Sequence, residues 1–303
     1  MSTAALGSSL LLLAIPALAL PLVRRGPHPA AWAFVIATSL ATGFVILEVE
    51  LLHIALPTAL DVVGAHELAE VCRQRGGHLF RAAAPFGVLT GTLALTVAVK
   101  AGSGVLTTIR GFRTIREGAL LGRRVSVAGH DAFVLPLRDE IAVAVPGESA
   151  TPVLSRGLVE ALQHEELSVV VQHEIAHLRN HHPRFVLLGT TVSSGLWFLP
   201  WIGHAESALR LALERWADEE AAGQRREGIE HIRSALRKLV ARAPSTLVVQ
   251  RLAALDLWAT RGPGSGWGWR IAGSVVGPLA IAVAAAMLAH VGELVHEVTE
   301  LAQ

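Results

Sequence analysis

In the stretch VVVQHEIAHLRNHHPRF, Val169 to Phe185, a histidine, a glutamate and a second histidine follow one another as His173, Glu174 and His177. On a helix, residues four apart lie on one face. Both imidazoles can therefore reach one metal ion, with Glu174 beside them to handle a water. This His-Glu-x-x-His spacing is the one zinc hydrolases use. The plainer alternative is a helix whose histidines are core or interfacial residues. A third ligand would decide between the two, because catalytic zinc takes three protein ligands and keeps one position open. The next helical stretch, SALRLALERWADEEAAG, sets Glu214 and Asp218 one turn apart on one face, with the small Ala217 keeping that face narrow. Glu214 can complete a His–His–Glu set, and Asp218 can accept a hydrogen bond from a ligand histidine. The competing reading of the acidic run, a solvated helix face, is weakened because two separate elements point to one site. Zinc lowers the pKa of a water towards ~7; Glu174 takes the proton, and the hydroxide attacks a peptide carbonyl. Tyrosine is absent, so the candidates for steadying the oxyanion are His204, Arg210 and Arg215, with no ground in the sequence for choosing among them.

The elements that must position these residues lie in an oily chain. Hydrophobic residues make up 52% and charged residues 17%, against about a quarter charged in soluble domains, so a membrane protein is expected. The net charge of +1 gives no reason to invoke nucleic acid, and the single cysteine, Cys72, excludes an internal disulfide and a cysteine-based metal site. Four apolar runs, Ala5–Val23, Ala30–Leu47, Ala82–Val99 and Ile271–His290, each approach the ~20 residues that cross a bilayer. The first has no basic residues ahead of it and Arg24–Arg25 behind it, which argues against a cleaved signal. By the positive-inside rule, Arg24–Arg25 and the set Lys100, Arg110, Arg113, Arg116, Arg123 and Arg124 face the cytoplasm, placing the N-terminus outside and Lys100–Arg270 inside. Arg73, Arg75 and Arg81 in the outer loop run against this.

The expected fold is mainly α: a polytopic membrane protein of about four transmembrane helices plus a hydrophobic hairpin, carrying a cytoplasmic zincin-like α+β domain. Residues 1–99 form an N-terminal membrane domain with three spans. Residues 100–260 form the zinc domain, and 261–303 a linker and the last span. RVSVAG, AFVLPL and EIAVAVPG read as a small sheet, the last as an edge for an extended substrate or as plain sheet core. Ser155 reads as a helix N-cap, the helix through His173 ends at Pro183, and Arg225–Val240 packs through Ile229, Ile232, Leu236 and Leu239. His181 and His182 read as polar surface at a helix end, and Glu48, Glu50 and His53 as interfacial residues at the outer end of the second run. Trp267 and Trp269 read as interface anchors of the last span.

Residues 186–202 would pass for a fifth span, but Glu214 has to return to His177. The fourteen steps from Pro200 to Glu214 cover about 21 Å of helix, less than the ~30 Å of a crossing. A hairpin that dips into the inner leaflet and turns at WFLPW, where Pro200 interrupts the helix, is therefore expected.

The lead-in TPVLSRGLVEALQHEELSVVVQHEIAHLRNHHP, followed by LWFLPW and ERWADEEAA, resembles the M56 family of membrane metallopeptidases over roughly Ala132 to Gly223. The M48 membrane proteases, which share HExxH and ExxxD, are the nearest rival. The resemblance implies zinc on His173, His177 and Glu214, Glu174 as base, and peptide-bond hydrolysis in regulatory proteolysis, with a protein substrate such as a cytoplasmic transcriptional repressor. The M48 likeness implies membrane protein quality control instead, and a receptor with a vestigial zinc site is a further alternative. The antibiotic-sensing members carry an extracellular sensor domain after the last span. This chain ends soon after its last apolar run, so β-lactam sensing is not expected.

Overall fold

The computed structural model describes residues 3–75, 84–127, 129–146, 151–223, 225–242 and 245–261. Helices α1 (Thr3–Leu18) and α2 (Leu20–Arg25) lead into the long α3 (Pro29–Val62), the short α4 (His66–Arg75) and the long α5 (Ala84–Ala119). Among the described residues, Leu6–Arg25, Pro29–Val62 and Ala84–Ala119 are long and apolar enough to cross a membrane. The expected fourth span, Ile271–His290, lies outside the described residues, as do Trp267 and Trp269.

The long helices extend past the apolar runs that announce them. Hydropathy falls where charges begin, but glutamate, leucine and alanine all sustain a helix, so α3 continues to Val62 through Pro57. Glu48, Glu50 and His53, which follow the second apolar run, therefore sit within this helix, with Glu50 and His53 buried. Likewise α5 passes through Lys100 without a break, and a boundary drawn at residue 99 falls inside it.

After α5 come four strands: β1 (Arg123–Val127), β2 (His130–Leu135), β3 (Ala142–Ala144) and β4 (Pro152–Ser155). They order as β1-β2-β4-β3. The β1–β2 hairpin is antiparallel, β2 pairs parallel with β4, and β3 lies antiparallel to β4 at the edge. Gly129, with φ +80°, occupies the hairpin turn in the left-handed region that glycine enters freely. The interior strand β4 was absent from the sequence reading because four residues, all buried, show no alternation to detect. Ser155 ends it and caps α6 (Arg156–Ala161): its hydroxyl accepts from the Leu158 N–H at 3.2 Å and from the Ile141 N–H at 2.9 Å.

Six helices follow β4 among the described residues: α6, α7 (His164–Arg179), α8 (His182–Gly195), α9 (Pro200–Ala222), α10 (Arg226–Arg242) and α11 (Thr246–Arg261). Helices α8 and α9 form a hairpin. Pro200 stands in the first turn of α9, where its missing N–H costs nothing, and Arg210 on α9 donates to the Thr190 hydroxyl on α8 at 3.2 Å. A single apolar core joins the hairpin to the long helices through Leu13, Ile36, Leu40, Val97, Val192 and Leu209. Contact with α5 is close: a Cβ on Gly104 would stand 2.5 Å from Ser194 Oγ. The turn packs where Gly195 meets Ala101 and the Val97 backbone. Its tip is thus level with the C-terminal end of the third apolar run.

Candidate metal centre

Two helices carry the site. Helix α7 is held at its start by Glu166, whose carboxylate accepts from the Gln163 N–H at 2.8 Å, from Ser234 Oγ at 2.6 Å and from Lys238 Nζ at 2.6 Å. This closes the first turn and ties α10 to it. Leu167, Val171 and Ala176 are buried against the domain core. At the far end, Arg179 and the Asn180 amide donate to Glu220 of α9 at 2.7 and 2.5 Å. Helix α9 buries Leu209, Leu211, Ala212, Leu213 and Ala217, which fixes its rotation and turns Glu214 and Asp218 towards α7.

The folded chain brings His173, His177 and Glu214 together, with ligand atoms all within 4.8 Å of one another. The two Nε2 atoms are 3.0 Å apart; His173 Nε2 is 3.4 Å from Glu214 Oε2 and His177 Nε2 3.6 Å from Glu214 Oε1. A tetrahedron around zinc with bonds of 2.0–2.1 Å has edges of about 3.3–3.4 Å. The two imidazole nitrogens, with one Glu214 oxygen near each, therefore stand close to that spacing, and two imidazoles with a carboxylate are a zinc donor set. The residues fit the ion.

The orientation of each ligand is set from behind. Asp218, 1% exposed, lies 3.0 Å from His173 Nδ1; it accepts a hydrogen bond from the Nδ1–H and so leaves the Nε2 lone pair facing the site. His177 Nδ1 is 2.7 Å from His182 Nδ1. His182 is not surface: it is 1% exposed, and its ring lies 4.7 Å from that of Trp216. The reason is His181, exposed and left-handed at φ 54°, which ends α7 and turns the next residue inward. Burial pushes the His182 imidazole down to about 4, so it stays neutral. Helical spacing from His177 held no signal for this contact, because the helix stops between the two.

Glu174 is buried beside this cluster and accepts a hydrogen bond from the Ala144 N–H of edge strand β3. Burial lifts its carboxyl to about 7; the His173 charge opposes the shift and the Glu214 charge adds to it. Glu214 shows the opposite. Burial alone would raise it, but Arg251 and the two histidines hold it far below the usual carboxylate range. Arg251, on α11, was not singled out in the sequence, where it is one arginine among many. It contacts Glu214 Oε2 at 2.9 Å and Asp218 at 2.6 and 3.0 Å.

His173, Glu174, His177, Glu214, Asp218 and Arg251 line a cavity of about 370 Å³, walled by Ala142–Ala144 of β3, Phe112, Val186 and an apolar stripe of α10 that includes Ile232, Leu236 and Leu239. The three residues considered for the oxyanion are elsewhere. His204 is exposed beside the Pro200 carbonyl, and Arg210 pairs with Glu206. Arg215 points to the opposite side of α9 and donates to the Val23 and Gly26 carbonyls at the end of α2. None of the three lines the cavity, because each lies off the α9 face that carries Glu214 and Asp218 or is drawn aside by a nearer partner.

Residues 142–215 match the model of peptidase family M48. Over 107 residues the chain is 32% identical to a protease HtpX homolog from Aquifex aeolicus (strain VF5), a match covering 34% of this chain and 34% of that protein. No solved structure matches. The matched segment runs from β3 to the residue after Glu214, and so contains the three clustered donors.

Proposed function

We propose that this chain is an integral membrane zinc endopeptidase of M48 type that hydrolyses peptide bonds of protein substrates at the cytoplasmic face. One observation carries the reading: His173, His177 and Glu214 present nitrogen and oxygen donors close to tetrahedral spacing, with Glu174 next to them. The M48 match favours this family over M56, so a repressor substrate and a regulatory role rest on the M56 resemblance alone.

When bound, zinc would supply Lewis acidity for the scissile carbonyl and acidify a water. The chain's own groups do the rest. His173 and His177 hold their lone pairs inward because Asp218 and His182 face their other nitrogens. Glu174, its carboxyl lifted towards neutrality by burial, accepts the proton of the attacking water and passes it to the leaving amine, a task best done by a group whose pKa lies near the working pH. The Ala144 N–H keeps Glu174 in place. Strand β3 has β4 on one side and the cavity on the other, so an extended peptide can lie along it.

Membrane placement rests on the three long apolar helices and on the exposed Arg110, Arg113, Arg116, Arg123 and Arg124 that follow the third. Trp197 and Phe198 are exposed at the hairpin tip, with Lys100 over the Trp197 ring at 5.5 Å. The hairpin then meets the inner leaflet and holds the site at the membrane surface.

The test uses the full chain in mild detergent with a protein substrate. About one zinc per chain is expected. Glu174→Gln keeps that zinc and loses at least ~10²-fold in cleavage, since only the base is removed, whereas Glu214→Ala loses both. Cleavage by Glu174→Gln at the parental rate overturns the mechanism, and a zinc-loaded parent that cleaves nothing favours the vestigial-receptor alternative.

A further inference from the structure

Arg251 lies outside the residues that match the peptidase family, yet it bridges both carboxylates of the centre. Its Nε and Nη2 fork onto the two oxygens of Asp218 at 3.0 and 2.6 Å, and Nη1 reaches Glu214 Oε2 at 2.9 Å. The two carboxylates stand one turn apart on α9 and would repel each other without a cation between them. The fork also settles geometry. A planar guanidinium fixed on Asp218 has one edge left for Glu214, and that edge is taken by Oε2. Glu214 Oε2, 3.4 Å from His173 Nε2, thus shares its lone pairs with the guanidinium, whereas Oε1, 3.6 Å from His177 Nε2, carries no bond from Arg251 and is the freer donor to an ion.

From this we infer that Arg251 is a positioning residue that restrains Glu214 to binding the metal through one oxygen and so keeps the fourth coordination position open. The inference rests on the zinc reading above. An unrestrained carboxylate can close both oxygens on one ion, which occupies the place a water or a carbonyl needs. Arg251 is in turn aimed by α11, whose Leu255 and Trp258 pack on Ile229, Ile232 and Leu236 of α10. The α10–α11 pair, which also walls the cavity, is thereby coupled to the metal geometry.

Cobalt(II) in place of zinc reports coordination number directly, through the intensity of its visible absorption, with no need for turnover. The full chain in detergent should give the intense spectrum of a four-coordinate ion. Arg251→Gln removes the fork and should give the severalfold weaker spectrum of a five-coordinate ion, together with a zinc affinity changed by about tenfold. Arg251→Lys keeps a cation beside Asp218, which preserves folding should the Gln variant fail to fold. It cannot span both carboxylates, and it should show the same weakening. A parental spectrum in the folded Lys variant means that charge alone suffices and overturns the inference, as does a parental spectrum in the Gln variant. A parent that binds neither zinc nor cobalt overturns the proposed function and this inference with it. Metal bound by the parent and unchanged by both substitutions overturns the inference alone.

Discussion

Helix α9 presents two adjacent carboxylates, each to an arginine, and they respond in opposite directions. Asp218 faces the metal centre. It receives two hydrogen bonds from Arg251 and one from His173, and although burial pushes its carboxyl up, Arg251 and His173 hold it below the usual value. Glu219 faces α2. It receives one hydrogen bond from Arg215, at 3.2 Å, because that guanidinium is engaged with the Val23 and Gly26 carbonyls. Here burial wins and lifts the carboxyl to about 7, with Arg215 opposing and Asp218 adding to the rise. Burial therefore does not fix the sign of a shift; the charges set against the ionised form, and then the hydrogen bonds it receives, do. The inward carboxylate is kept charged as part of a binding site, whereas the arginine of the outward pair mainly secures a helix end.

Removing the inward partner outright is the strongest way to sharpen this contrast. Asp218→Ala leaves Arg251 buried with half its partners gone, and breaking such a pair costs about 3–5 kcal/mol. A large drop in melting temperature is expected. If the melting temperature of Asp218→Ala stays at the parental value, the fork has no structural weight.

The milder Asp218→Asn keeps the shape but no longer fixes the His173 proton. Zinc affinity should fall about 10–100-fold, while Glu219→Gln should leave it within about twofold. Equal losses in a chelator competition would mean that the two faces of α9 are not distinct.

On the outward side, Arg215→Met should cost about 1.5–3 kcal/mol, the scale of hydrogen bonds from a charged group, with zinc affinity retained. Loss of zinc in a folded Arg215→Met protein would instead show that α2 is coupled to the centre.

The smallest effect is a slope. In chelator-treated protein, Glu174 and Glu219 keep their protons to about 7, whereas the unfolded chain releases them near 4.5. The stability that each contributes should therefore fall from pH 4.5 to about 7 with a slope of about 1.4 kcal/mol per pH unit, against the opposite slope that His182, neutral down to about 4, adds below 6.5. Glu219→Gln should remove its share of that slope. Asp218 has the opposite sign: its contribution is present above 3.8 and lost as pH falls further. Thermal melts of Glu219→Gln that keep the full parental pH dependence between 4.5 and 7 would contradict the assignment.

The chemistry of the centre was legible in the sequence because helical spacing is a local property. Four residues of separation put His173 near His177, and Glu214 near Asp218, wherever those helices lie. The short apolar runs likewise announced three strands, and Pro200 announced a turn, since each depends on neighbours in the chain. Their meeting depended on the fold. Arg251 reaches Glu214 from a separate helix, and His182 reaches His177 only because His181 turns left-handed and reverses the chain. Arg215 was credible as a site residue until the rotation of α9, set by buried Leu209, Leu211 and Leu213, carried it to the other side. The interior strand β4 and the full length of α3 were hidden for a related reason: one is too short to show a period, and the other outlasts its hydropathy. Periodicity fixes which side chains share a face, and only packing decides what that face meets.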